Sequence, residues 1–395
     1  MKVFIADAVQ STWIFATIFL VALIVSIKRK NPRHLFPVSL TQELKGFAVL
    51  AIVFSHIGYF LVNDTRFLFP LSIIAGVAVD MFLFLSGYGI TTSVYIKKST
   101  SIIGFYQKRL PKLLLPFWIV LMLLFLGSII VLHDPYTWQY VLRSFFGFFP
   151  RADIYKDLDS PLWYFTLIFA YYLIFPLVFS KKSPWIAIIV LYAAGYIVTR
   201  LWMPGFLSAV LGLYYVHIFA FPFGVFMGWI LEKRHIMWRA FLNSVDKKLD
   251  KLHFRPVRRY LISIKKTSFF RIESKHIKSM VRYFFMAILG LIVLYTSYYS
   301  GVGDINKVWI ISIVTMSAIV ALFIVKRVEF RLFSLFGLYS YEIYLIHWPL
   351  MYRYDFFYKY FPAWLATILY LILFVVLSYL LDKLTILMLG KKKKI

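Results

Sequence analysis

The chain has 395 residues, 62% hydrophobic and 20% aromatic, with a mean hydropathy of +0.79. That is too apolar for an ordinary soluble protein and fits a polytopic membrane protein. The formal net charge of +27 lies mainly between apolar runs, which argues membrane topology over nucleic acid, and zero cysteines exclude disulfides, zinc–thiolate sites and thiol nucleophiles.

Apolar runs of spanning length, roughly 17–25 residues each, fall near 12–28, 46–62, 71–94, 113–132, 162–179, 184–201, 208–231, 283–299, 308–325, 332–351 and 363–389. The expected fold is an all-α polytopic membrane protein of about eleven transmembrane helices. No small-residue cleavage site follows the first run, so it reads as a retained helix. Cytoplasmic loops carry the Lys and Arg excess. Placing the N-terminus outside and alternating puts most of the 44 Lys and Arg on the inner side, with the C-terminus cytoplasmic. The largest polar piece, 232–282, then lies inside with fifteen Lys or Arg. Stretches such as Arg255 to Tyr260 read as surface helices against anionic lipid, or as a plain positive-inside loop. The main outer loop, 133–160, is aromatic and mixed in charge, with His133, Asp134, Asp153, Asp157 and Asp159.

Of 17 Asp and Glu, only Asp80 and Glu342 fall well inside apolar runs, joined there by His56, His217 and His347. An ionisable group at such depth is costly and reads by default as functional. Lys45 starts one run and His56 follows eleven residues later. Eleven helical steps come within about 20° of three full turns and rise about 16 Å, so the two share one face. Lys45 would sit at the membrane edge and His56 near mid-depth. Asp80, about 14 Å into its run by helical rise, reaches a similar level, where a carboxylate would orient the His56 imidazole or make a plain helix–helix contact. Ser86-Gly87 reads as close helix packing more than as a nucleophile.

Lys108, Arg109 and Lys112 crowd an inner edge, followed by Pro116. Arg forks and Lys point charges suit phosphates, and Pro111 and Pro116 would open the helix where it lines a cavity. Ordinary interfacial anchoring is the other reading. In the run 332–351, Ser340, Tyr344 and His347 recur at helical spacing with Glu342 beside them, like the wall of a cavity. Cations at an inner mouth, titratable groups at mid-depth and a polar stripe leading outward describe a path. It fits an enzyme taking a phosphate-bearing donor from the cytoplasm, and equally a proton-coupled transporter or a non-catalytic membrane sensing module.

Five segments in order carry a resemblance: Leu44-Lys45-Gly46 with His56; Ala78-Val79-Asp80-Met81-Phe82 with Ser86-Gly87-Tyr88; Lys108-Arg109-Leu110-Pro111-Lys112 with Pro116; Leu162-Trp163-Tyr164 with Tyr172-Leu173 and Pro176; and Ser340-Tyr341-Glu342-Ile343-Tyr344-Leu345-Ile346-His347-Trp348-Pro349. The chain resembles the acyltransferase-3 family of integral membrane acyltransferases, of the stand-alone type that modifies surface glycans. Lys45 stands where the family pattern has arginine, and Ala78 where it has glycine. The resemblance implies a ten-helix core over 41–390, with 1–40 as an extra N-terminal helix and linker and 391–395 as a Lys-rich tail. It implies transfer of an acyl group, most often acetyl from acetyl-CoA, to a hydroxyl of a cell-surface or exported polysaccharide in the cytoplasmic membrane. His56, with Lys45, Asp80 and His347, would form the catalytic group. Arg109, Lys112 and Lys108 would hold the donor phosphates, and Glu342, Tyr344, Ser340 and Trp163 would face substrate. No metal and no nucleic acid are expected, and membrane lipids, acyl-CoA and the glycan are the partners.

Overall fold

The computed structural model describes residues 5, 7–30, 36–58, 67–96, 101–153, 156–233, 275–300 and 305–390. The tail 391–395 and most of the basic segment 232–282, including Arg255 to Tyr260, lie outside the described residues. Long apolar helices dominate, as the composition requires: a backbone in hydrocarbon must satisfy its own N–H and C=O groups. They are α1 (Ala8–Val25), α2 (Val38–Gly58), α3 (Ala75–Ile96), α4 (Ile102–Ile130), the short α5 (Trp138–Phe145), α6 (Trp163–Val178), α7 (Pro184–Tyr196) and α8 (Leu211–Lys233). After the basic segment come α9 (Lys275–Tyr299), α10 (Ile305–Val325), the short α11 (Arg331–Leu338) and α12 (Ser340–Pro349), and α13 (Ala363–Met388). Among the described residues, ten helical segments are long and apolar enough to cross a membrane.

Two expectations change. The run 332–351 is not one helix: it divides at Tyr339 (φ −109°, ψ 17°) into α11 and α12. A hydropathy run cannot register this break, because the leucines and phenylalanines on both sides read as continuous. The prolines of α4 do not open it either. Pro111 and Pro116 sit inside one uninterrupted 29-residue helix. Each removes one intrahelical hydrogen bond, to the carbonyl four residues earlier.

Burial ranks the helices. α2 and α3 are the most enclosed spans, while α7 and α9 face mostly outward. α2 can be central because its backbone meets a neighbour directly. A Cβ on Gly46 would lie 1.7 Å from the Phe333 carbonyl oxygen, and one on Gly337 would lie 1.7 Å from that of Gln42. Only hydrogen fits between α2 and α11 there, which is the way small residues bring membrane helices together. A second such crossing joins α3 to α8, where a Cβ on Gly224 would lie 2.1 Å from the Phe84 carbonyl oxygen. Gly87 faces the Phe221 carbonyl oxygen at 2.3 Å on the same measure, as close packing predicted.

At the start of α2 the fully buried Glu43 is anchored by Lys326 and by the Phe330 backbone N–H at 2.8 Å. The antiparallel pairing of Ile27–Arg29 with Val328–Phe330 closes this end of the molecule. Burial lowers the Lys326 pKa to about 8, against the pull of Glu43, because an ammonium loses its hydration there. α1 packs on the same body through Phe15 and Phe19 against Phe54.

Candidate active site

α2 and α12 bring two histidines together that are 291 positions apart in the chain. His56 Nδ1 lies 2.7 Å from His347 Nε2, and the rings stack with centroids 5.0 Å apart and planes inclined by 8°. His347 Nδ1 is in turn 2.8 Å from the Tyr344 carbonyl oxygen and 3.1 Å from that of Ile343. A carbonyl only accepts, so His347 Nδ1 carries the proton and Nε2 the lone pair. His56 Nδ1–H is then the donor to His347 Nε2. The basic lone pair of neutral His56 falls on its Nε2. His347 is fully buried, His56 is half-buried, and the edge of Trp348 closes on His56 at 5.0 Å.

A cavity of about 220 Å³ ends within one helical turn of this pair along α2 and α12. Lys45, Arg109 and Lys112 line it together with Ser86, Tyr164, Tyr172, Ser340, Tyr341 and Tyr344, over an apolar floor of Ile52, Val79 and Phe82. Ile52 precedes His56 by one turn of α2, and Tyr344 precedes His347 by one turn of α12. The cavity wall therefore leads toward the histidines along both helices. Two tyrosines fix α12 in this position: Tyr341 Oη donates to the Leu113 carbonyl at 2.6 Å, and Tyr344 Oη donates to that of Pro161. Tyr164 meets Tyr344 edge-on at 5.4 Å. Three cations lining one small cavity favour an anionic ligand there.

The other candidates divide. Ser340 and Tyr344 are cavity wall. Glu342 is not among the lining residues but is an electrostatic neighbour of Lys45 and Asp382. Lys108 is exposed and absent from the cavity wall, although it lies one turn before Lys112 on α4. Asp80 does not orient His56. Its Oδ1 pairs with His217 Nδ1 at 2.7 Å and its Oδ2 accepts from Ser312. Similar depth did not mean contact, because α3 turns this carboxylate toward α8 and α10. Trp163 is absent from the cavity wall and stacks on His217 at 5.7 Å instead.

His217 and Ser312 therefore belong to the buried polar set, as do Tyr164, Tyr172 and Ser86 to the cavity. His217 carried a signal, being one of few ionisable groups within an apolar run. Ser312 carried none, since serines are common throughout membrane helices, whereas Ser86, Tyr164 and Tyr172 lie in the segments that carry the resemblance.

A family model described as an acyltransferase domain matches residues 44–383, which takes in every residue of the histidine pair and the cavity. Neither the curated proteins nor the solved structures contain a match.

Proposed function

The chain belongs to the acyltransferase-3 family, and from that premise we propose that it is a membrane O-acyltransferase carrying an acetyl group from acetyl-CoA to a hydroxyl of a cell-surface or exported polysaccharide. In this reading the donor enters from the cytoplasm, and its phosphates lie against Arg109, Lys112 and Lys45. The arginine supplies a two-pronged contact and the lysines supply point charges. Lys45 in place of arginine keeps the charge and gives up the fork.

His56 is the general base. Its Nε2 takes the proton of the acceptor hydroxyl while the oxygen attacks the thioester carbonyl. The C–S bond breaks, and the thiolate leaves as CoA with the proton His56 had taken. While His56 is charged, its Nδ1–H bond to His347 holds the ring in place and spreads the charge toward the carbonyls of α12. This is the orienting role that a carboxylate plays for histidine in serine hydrolases, here assigned to a second imidazole.

The observation that carries the reading is the hydrogen-bonded order Tyr344 carbonyl, His347, His56, which leaves the basic nitrogen on His56, one helical turn beyond Ile52 in the wall of a cavity rimmed by cations. The test is His56→Ala in the full chain, with acylation of the host's envelope glycan read by NMR. Acylation should vanish while the protein accumulates in the membrane at the normal level. Glycan acylation unchanged in that variant removes His56 from the chemistry.

A further inference from the structure

One buried acid has no part in the site described above. Asp159 is 1% exposed, and neither of its carboxyl oxygens has a hydrogen-bond partner among the described residues. Its neighbour Asp157 is the contrast. That residue is almost as buried, yet Arg151 Nε donates to its Oδ1 at 2.7 Å and the Asp153 N–H to its Oδ2 at 2.8 Å. Asp159 heads the 3-10 turn Ser160–Leu162 without capping it. A buried polar group left unpaired is costly and calls for an explanation. Burial first, and then Asp157, pushes the Asp159 carboxyl well above the usual carboxylate range. Burial therefore favours the protonated acid, which offers one O–H donor and an accepting carbonyl oxygen.

Its position ties it to the chemistry. The turn it heads is gripped by Tyr344, whose Oη donates to the Pro161 carbonyl two residues along. The Tyr344 backbone carbonyl is the one that accepts from His347, and Asp159 is an electrostatic neighbour of the Tyr344 ring. Arg109 and Lys112 lie near the start of α4, whereas the segment carrying Asp159 follows its far end at Ile130. From Lys112 to Ile130 the helix rises about 27 Å, so the segment that follows α4 starts toward the membrane face opposite the cations. A group that donates and accepts at once, without charge, matches a hydroxyl and not an ammonium or a phosphate.

We propose that Asp159 is an acceptor-binding residue, hydrogen-bonded to a hydroxyl of an uncharged sugar or polyol that enters from the face opposite the cations. This rests on the acyl-transfer reading. The reconstituted full chain is assayed with radiolabelled acetyl-CoA and with alkali-deacylated envelope polysaccharide from the producing cells. Asp159→Leu should raise the acceptor KM about tenfold or more, the loss of a hydrogen bond to a buried partner, with the donor KM unchanged. Asp159→Asn, which keeps one donor and one acceptor, should rescue the acceptor KM to within about threefold of wild type.

An unchanged acceptor KM in Asp159→Leu, or an Asn variant as impaired as the Leu variant, overturns the assignment and leaves the acyl-transfer reading standing. If Asp159→Leu fails to fold, Asp159→Ser takes its place with the same expected rise, because its hydroxyl is too short to reach the carboxyl's position. A wild-type protein that acetylates no hydroxyl of the polysaccharide overturns the acyl-transfer reading, and the assignment of Asp159 with it.

Discussion

His347 governs what His56 can be. Because its Nδ1–H is committed to the α12 backbone, His347 can only accept from His56, and the tautomer of the second ring follows from the first. His347→Leu removes that acceptor and frees His56 to rotate and to protonate on either nitrogen. A fall of roughly 10²-fold in kcat is expected, the scale of a misplaced general base. His347→Gln restores an accepting oxygen and should recover part of the loss. Equal rates for the Leu variant and the wild type would show that the pair is structural. Arg109 acts on the other substrate. Arg109→Ala should raise the apparent KM for acetyl-CoA by about tenfold, the value of one charge-assisted contact, while the acceptor KM stays within error. An equal rise in both would place Arg109 away from the donor. Asp80, by contrast, serves His217 and Ser312, so its replacement acts through α3 packing and not on the ionisation of His56.

These side chains meet because of how the helices cross. α2 carries Lys45, Ile52 and His56 on one face, and the neighbouring flank at Gln42 and Gly46 runs against α11 with only glycine between the backbones. The break at Tyr339 then separates α12 from α11, and α12 presents Ser340 and Tyr344 to the cavity and His347 to His56. Gly337→Ala puts a methyl carbon where the Gln42 carbonyl oxygen now stands, 1.7 Å away. No rotamer relieves that overlap, so α2 and α11 must separate at a cost of about 3 kcal/mol or more. The melting midpoint in detergent, followed by size-exclusion chromatography, should fall and activity should be lost. Gly89→Ala is the control. A Cβ there meets nothing within 4 Å, and better helix propensity should stabilise by roughly 0.5–1 kcal/mol. A Gly337→Ala protein as stable as wild type would refute the backbone contact.

On the level of the full chain, the orientation drawn from the loop charges has a direct test, because the protein contains no cysteine. Single substitutions Lys156→Cys and Lys182→Cys place one exposed thiol on each side of α6. Intact cells treated with a membrane-impermeant maleimide should label the first and spare the second. The reverse pattern would turn the topology over, and with it the direction of acyl transfer. α1 precedes the matched region 44–383. It packs on the body through aromatic contacts with α2, and it contributes nothing to the cavity wall.

How much of this was legible in one dimension depends on the range of the interaction. Membrane class, the positions of ten spanning helices and the shared face of Lys45 and His56 follow from composition and helical periodicity, which are local properties. So does the gathering of Arg109 and Lys112 at one helix end. The break at Tyr339 was not legible, because hydropathy averages over the turn that redirects the chain. Nor were the partners of the buried groups. By depth Asp80 was the companion offered to His56, and packing in three dimensions pairs His56 with His347 and Asp80 with His217 instead. A hydrogen bond is decided within about 3 Å, whereas a sequence places a side chain on a helix face to within a turn. Contacts between distant segments therefore had to come from packing in three dimensions.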